Sequence, residues 1–357
     1  MPAPGVRDWL NRLWLGLLAA VLTVGAAPGC FAQPSGSKPY PGSIFAPTST
    51  PADRIYGVEI FVLIVTGGIF VVVFSLLVYA AVKYRRRGVD DGREPAQIYG
   101  SDQIELAWTV IPVIIVLVLF ITSARVIHEV QDAVPPSGAV QVTVIGHQFW
   151  WEFRYPKYGI TTANELHVPL SDPARPTPTY LKLLSADTVH SFWVPRLAGK
   201  MDLIPNHPNE MWIDPHEEGL YLGQCAQYCG VQHAKMLLRV YADSADRFAQ
   251  WVEQEQRRVE AVPLNEAAAA GRTVFERTAC VACHRVAGTQ AAGRVGPDLT
   301  HLMSRATLAS GAADNTPANL RQWIEKPDSI KPRSLMPAMN LSGKELDEVT
   351  AYLLTLK

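Results

Sequence analysis

This sequence has no surplus of charge of either sign. Its 32 lysines and arginines stand against 33 aspartates and glutamates, for a net charge of -1 at pH 7. Composition therefore gives no electrostatic case for a nucleic-acid partner. Cysteine is scarce, five in 357 residues, and no internal repeat or long low-complexity tract is visible. At 48% hydrophobic, a chain of this length implies two or three domains rather than one. Charge is also missing locally. Ile60 to Val82 is a run of 23 residues with no charged side chain, and Leu106 to Ala124 is a run of 19 bounded by Glu105 and Arg125. Each is close to the length of about 20 that a membrane-spanning helix needs, although the second contains Pro112.

Spanning helices are expected at about 57–82 and 105–127, within an N-terminal segment and hairpin over 33–135. Lys83, Arg85, Arg86, Arg87 and Arg93 crowd the short loop between them, and the positive-inside rule puts such a loop in the cytoplasm. Both ends of the mature chain then face outward. An earlier apolar stretch, Leu13 to Gly29, follows Arg7 and Arg12 and ends in small residues. It fits a signal peptide over 1–32, cut after Ala32, better than a third span. "APGC" offers a lipoprotein site at Cys30, with Ala at its first position where a larger aliphatic is usual.

From Ala139 to about Ala242 the chain alternates short β-rich runs, "VQVTVIG", "FWWEFRY", "TYLKLL" and "MLLRVYA", with Pro, Gly, Asp and Asn turns. That pattern predicts a small β-sandwich or barrel. It ends in "CAQYCGVQHAKM", where Cys225, Cys229, His233 and Met236 fall within twelve residues. A local disulfide, a Cys and His zinc site and a copper site built on soft thiolate and thioether ligands all suit this stretch alone. His190, in "DTVHSF", supplies a second imidazole. A single blue copper needs one thiolate, two imidazoles and a weak axial Met. This set has one thiolate more, which permits two sulfur bridges between two metals.

Together with "DTVHSFWVP", "GHQFWWEF" and the membrane segment "IELAWTVIP", that stretch resembles subunit II of the haem-copper cytochrome c oxidases, over roughly residues 50 to 242. The resemblance implies a cupredoxin-like β-sandwich (136–242) after a two-helix transmembrane hairpin. It also implies a binuclear copper (CuA) centre. Cys225 and Cys229 would bridge the coppers, His190 and His233 would each cap one, and Met236 and the backbone carbonyl of Gln227 would be weak ligands. Two departures stand out. The family usually has Glu where this chain has Gln227, which leaves a carbonyl ligand intact but puts a magnesium-binding carboxylate in doubt. The usual electron-inlet Trp after "HQ" is Phe149 here, followed by Trp150 and Trp151.

A second cluster, "CVACH" at Cys280 to His284, is the attachment pattern for c-type haem: two thiols add to the vinyl groups and the adjacent imidazole reaches the iron. "LMPAM" downstream offers Met336 as the opposite ligand, where Pro337 disfavours helix for the residue before it. A Met and His pair raises the iron potential. Met339 is the alternative. The segment from about 265 to 357 resembles a class I, all-α cytochrome c, with Pro297 supplying the carbonyl for the haem histidine and Gly271 allowing helix contact near Phe275 and Tyr352. Between the domains, "DRFAQWVEQEQRRVEAV" reads as a charged helix or stiff linker over 243–264, ending at Pro263.

The whole reads as a membrane-anchored multidomain chain. By resemblance it is subunit II of a caa-type terminal oxidase, passing electrons from haem c to CuA and on to the oxygen-reducing site of subunit I. The partners implied are subunit I and other oxidase subunits, the lipid membrane, and an upstream donor such as a cytochrome c or a quinol-cytochrome c reductase. Its place is the bacterial inner membrane, with both redox domains on the periplasmic side. Glu105 matches a family carboxylate at the cytoplasmic mouth of a proton channel; the plainer reading is a helix end. Two other functions suit the motifs: the inlet subunit of a CuA-type nitric oxide reductase, and a membrane-bound electron carrier without a fixed enzyme.

Overall fold

A computed structural model describes residues 39–85, 97, 100–131, 139–172, 176–257 and 264–357. The signal-peptide and Cys30 readings, the basic loop beyond Arg85 and Pro263 lie outside the described residues. All elements below belong to one compact unit, residues 41–357.

Two long helices come first, α1 (Thr50–Lys83) and α2 (Asp102–Gln131). At 1.5 Å per residue they run about 50 and 45 Å, longer than the about 30 Å hydrocarbon layer. They begin before and end after the spans read from charge alone. No residue of α2 is buried, and Phe70, Leu76, Val116 and Phe120 stand more than half exposed. An apolar surface of that extent belongs in lipid. Both helices are long and apolar enough to cross a membrane.

The outer ends of the hairpin are fastened to the next domain. Asp214 accepts from Ser49 Oγ at 2.7 Å, Thr50 N at 2.7 Å and Thr50 Oγ1 at 2.6 Å. It therefore does the work of an N-cap for α1 from a distant point in the chain. Trp212 Nε1 donates to the carbonyl of Val130 at the end of α2.

Ten strands form two five-stranded sheets: β1 (Gln141–His147), β2 (Trp150–Tyr155), β3 (Ile160–Ala163), β4 (Glu165–Pro169), β5 (Thr179–Ser185), β6 (His190–Trp193), β7 (Met201–Leu203), β8 (Asn209–Ile213), β9 (Gly219–Cys225) and β10 (Leu237–Asp243). The orders are β3-β2-β1-β5-β8 and β4-β10-β9-β6-β7. β1 runs parallel to β5 and β4 parallel to β10; the other pairs are antiparallel. Inward residues such as Val144, Trp151, Phe153, Leu166, Leu183 and Phe192 make one apolar core. This is the cupredoxin-like sandwich.

The stretch read as a charged helix or stiff linker does contain a helix, α3 (Ala245–Gln256), but the helix is docked. Phe248, Trp251 and Val252 join the sandwich core. His167 stacks between Tyr241 and Trp251 at 4.7 and 4.6 Å.

The last domain holds α4 (Glu266–Arg277), α5 (Cys280–Cys283), a small β11–β12 ribbon (Thr307–Leu308, Ala313–Asp314), α6 (Pro317–Glu325), α7 (Pro327–Ile330) and α8 (Gly343–Leu353). Asn265 caps α4, and Ser342 with Glu345 forms a capping box on α8. The two helices cross at Gly271, where a Cβ would overlap the backbone of Glu348. Phe275 packs on Tyr352 at 5.7 Å. This arrangement is the cytochrome c fold, helical as expected except for the one short ribbon.

Candidate copper and haem sites

The first site sits where β6 starts and β9 ends. Pairing of Phe192 with Cys225 brings those strand ends together. The Cys225 N–H to Met236 carbonyl bond, at 3.0 Å, closes the loop between β9 and β10. Six donors converge in consequence. Cys225 Sγ lies 3.9 Å from Cys229 Sγ, 4.0 Å from His190 Nδ1 and 3.1 Å from the Gln227 carbonyl oxygen. Cys229 Sγ lies 3.8 Å from both His233 Nδ1 and Met236 Sδ. Both sulfurs, His190 and Met236 are buried.

Lone pairs far outnumber protons in this cluster. Buried acceptors facing one another repel unless a cation lies among them. Two thiolates, two imidazoles and a thioether suit a soft metal, so the residues present fit copper. Cys225 is held as a thiolate, down to about 3, first by its hydrogen bond with Cys229. The same contact pushes Cys229 well above the usual thiol range, so the pair gives up one proton readily and the second only to a metal.

Asp187, which sequence reasoning passed over, orients one ligand. Its carboxylate accepts from His190 Nε2 at 2.8 Å and from the Thr188 and Gln148 N–H groups at 2.7 Å each. With Nε2 donating, Nδ1 keeps its lone pair towards Cys225. Burial raises the Asp187 pKa, but these bonds outweigh it and hold the group below its ordinary value. The spacing "DTVH", three residues apart on one turn, was the available signal.

The second site is a cavity in the cytochrome domain, walled by Cys280, Cys283, His284, Pro297, Met336 and Met339 among others. His284 Nδ1 donates to the Pro297 carbonyl at 2.8 Å, as expected, which leaves Nε2 with its lone pair. Burial lowers the His284 pKa, so the ring is neutral and fit to ligate. Gly296 is where it must be: a Cβ there would lie 2.5 Å from Cε1 of that ring. Met336 and Met339 both reach the cavity, so both remain placed to ligate.

Arg305 also lines the cavity, and it was absent from the sequence reading. It is buried; one terminal nitrogen donates to the Asp298 carbonyl at 2.5 Å, while Nε has no hydrogen-bond partner among the described residues. A buried guanidinium with an unmet donor beside an apolar cavity suits an anionic group, and haem carries carboxylates. The residues present therefore fit haem.

The two sites adjoin. Phe149 and Trp150, expected at an electron inlet, are buried and line the haem cavity from the sandwich side. The Phe149 ring lies 2.9 Å from where a Cβ on Gly230 would stand, and Gln148 Nε2 donates to the Cys229 carbonyl at 2.6 Å. Trp151 instead enters the sandwich core. It lies edge-on to His190 and Phe192 and donates to the Met236 carbonyl at 3.5 Å. Glu105 lines neither site; it is exposed in the first turn of α2.

Known families account for most of this chain. The model of the cytochrome c oxidase subunit II transmembrane domain matches residues 41–126, that of the subunit II periplasmic domain residues 160–242, and that of cytochrome c residues 268–357. Cytochrome c oxidase subunit 2 of Alkalihalophilus pseudofirmus is 35% identical over 316 residues, covering 87% of this chain and 90% of that protein. The protein of the same name from Bacillus sp. PS3 is 32% identical, covering 77% and 80%. That from Bacillus subtilis is 30% identical over 99% of each chain.

An apolar helical hairpin, a sandwich with a soft buried donor set and a cytochrome c fold define a membrane-anchored electron-transfer protein. The chain belongs to the cytochrome c oxidase subunit II family, in a form with a C-terminal cytochrome c domain. Copper and haem binding are implied by those families.

Proposed function

We propose that the chain is the electron-inlet subunit of a terminal cytochrome c oxidase in a bacterial inner membrane, with its two redox domains on the periplasmic side. Electrons from an upstream cytochrome c or quinol-cytochrome c reductase would reach a covalent haem c, then a binuclear CuA centre, then the oxygen-reducing site of subunit I. One observation carries this reading: Phe149 and Trp150 wall the haem cavity while Gln148 and Phe149 touch the Cys229–Gly230 segment of the copper loop.

The chemistry that the two groups supply when bound is one-electron exchange, with no bond to oxygen made in this subunit. The chain's own residues do the rest. Cys280 and Cys283 would hold the haem covalently, and His284 and Met336 would ligate its iron. Pro297 fixes the His284 tautomer, and Arg305 would compensate a haem carboxylate. His190, Cys225, Cys229, His233, Met236 and the Gln227 carbonyl would hold the coppers, and Asp187 keeps His190 turned towards them. Phe149 and Trp150 exclude water from the seam between the sites, which limits solvent reorganisation around a moving charge. Glu105, in the first turn of the second span, would take up protons from the cytoplasmic side.

The test is purification of the whole complex with oxygen and nitric oxide consumption measured side by side. Oxygen uptake driven by reduced cytochrome c is expected. Faster nitric oxide consumption with little oxygen uptake would replace the reading with a nitric oxide reductase.

A further inference from the structure

Among the described residues the cytochrome domain meets the sandwich along two seams, the first reinforced by Ser304 Oγ donating to Glu255 of the docked helix α3 at 3.1 Å. In the first, the buried Glu165 carboxylate accepts from the Ala306 and Thr307 N–H groups and the Thr307 hydroxyl at 2.8 to 3.0 Å. Ser310 and Leu237 exchange two further bonds. In the second, three consecutive residues ahead of the "LMPAM" loop are gripped. The Ile330 carbonyl accepts from Lys235 at 3.0 Å and the Pro332 carbonyl accepts from Gln232 Nε2. Between them, Lys331 reaches the opposite way. Its ammonium donates to the Phe149 carbonyl of the sandwich at 2.7 Å and to the Ala309 carbonyl of its own domain at 3.1 Å.

Lys331 is 3% exposed, and neither hydrogen-bond partner is a carboxylate. Burying an ammonium against two neutral carbonyls is costly, and it adds little that a hydroxyl could not add within one domain. What lysine offers here is reach: a four-carbon stem carries the donor across the seam to the backbone of the residue that walls the haem cavity. Lys331 itself lines that cavity, five residues before Met336. One side chain thus ties the methionine loop to the aromatic edge beside the copper loop.

We propose that Lys331 is a positioning residue for haem-to-copper electron transfer, holding the haem crevice against the Phe149–Trp150 edge so that transfer proceeds from one docked pose. This rests on the electron relay proposed above and names what fixes its geometry. The first seam anchors the domain, and the second sets the orientation of the crevice.

The test uses the full-length chain loaded with haem and copper. Metal analysis and the haem spectrum of the wild type come first; a wild type lacking either group sinks the relay itself, independently of Lys331. In Lys331→Met, copper and haem contents and both reduction potentials should match wild type. The rate of haem-to-copper transfer should fall about tenfold or more, the scale expected when a reacting pair is displaced by an ångström or so. The enhancement of copper spin relaxation by the oxidised haem, which reads their separation without turnover, should weaken or spread over several values. Unchanged transfer and unchanged relaxation in Lys331→Met overturn the proposal. Should that variant fail to load haem, Lys331→Gln is measured in the same way: its shorter amide reaches one carbonyl at most. Slower transfer with altered relaxation supports the role, and wild-type values for both reject it.

Discussion

The copper loop and the haem crevice solve the problem of holding a redox group in opposite ways. At the proposed copper site the chain would supply the whole coordination sphere. Its donors are gathered by strand pairing and by the Cys225–Met236 backbone bond, and Cys225, Cys229 and Met236 sit at the edge of a sandwich core that Trp151, Phe153, Phe192 and many other side chains fill. At the haem site Phe275, Leu320, Val349 and Leu353 belong both to the domain's apolar core and to the cavity wall. The group that fills the cavity is then itself part of the core. A small cation needs a rigid scaffold built beforehand, whereas a large apolar ring can stand in for side chains that a domain of under a hundred residues is too small to provide.

The largest effect that follows is an asymmetry between the two sites. Cys280→Ser combined with Cys283→Ser should cost the cytochrome domain its fold along with its haem, while the sandwich keeps its copper. Cys229→Ser should lose copper while the sandwich keeps its fold. Metal analysis with near-ultraviolet circular dichroism and protease sensitivity of each domain checks both arms. A cytochrome domain that stays protease-resistant without haem would break the contrast.

A smaller effect tests whether the haem domain's core is as tightly made elsewhere. Helix propensity alone says Gly271→Ala should stabilise α4 by about 1 kcal/mol. Packing says otherwise, because the new methyl would overlap the Glu348 backbone and force α4 and α8 apart. Overpacking against backbone costs about 3 kcal/mol, so the net should be destabilising. A guanidinium titration followed at the haem absorbance would show a lowered midpoint; a raised one would mean that the helices separate freely.

What could be read from sequence follows the same division. Both cofactor clusters are contiguous in the chain, since CVACH and CAQYCGVQHAKM each lie on one turn or loop, and His190 stood out because the donor set lacked an imidazole. Helix α3 is legible as a charged helix, but its docking is not, because its charged face dominates its composition. Its core contacts, Phe248, Trp251 and Val252, show only when the i, i+3, i+4 pattern is set against a neighbouring sheet. Phe149 reads as a departure from the usual inlet tryptophan; the structure buries it beside the cavity of the cytochrome domain. The seams left no trace in the sequence for a physical reason. Lys331, Lys235 and Gln232 all bind backbone carbonyls, and a carbonyl has no residue type. The cap of α1 by Asp214 is hidden likewise, because its partners are 164 and 165 residues away.

The smallest effect concerns pH, and it distinguishes the seam from the two sites it joins. Burial lowers the Lys331 pKa from 10.5 to about 7, with Cys229 favouring the ammonium and Lys235 opposing it. In a cytochrome domain swung clear of the sandwich the same amine would stand in water and regain its ordinary value. Between about 7 and 10 the undocked state therefore binds more protons than the docked one, so docking releases a proton and strengthens as pH rises through that window. Below about 7 both states are protonated and the dependence flattens. The neutral amine keeps two N–H groups, enough for the Phe149 and Ala309 carbonyls, so deprotonation removes the desolvation penalty and spares the contact. Copper relaxation by the oxidised haem, followed from pH about 6 to about 9, should sharpen towards one docked pose at the alkaline end. Lys331→Met, which has no proton to lose, should show no slope in that range. A wild-type signal that weakens with rising pH would mean that the charge itself, rather than the donor's reach, holds the seam, and the comparison between a rigid copper scaffold and a docked haem domain would then rest on the Glu165 seam alone.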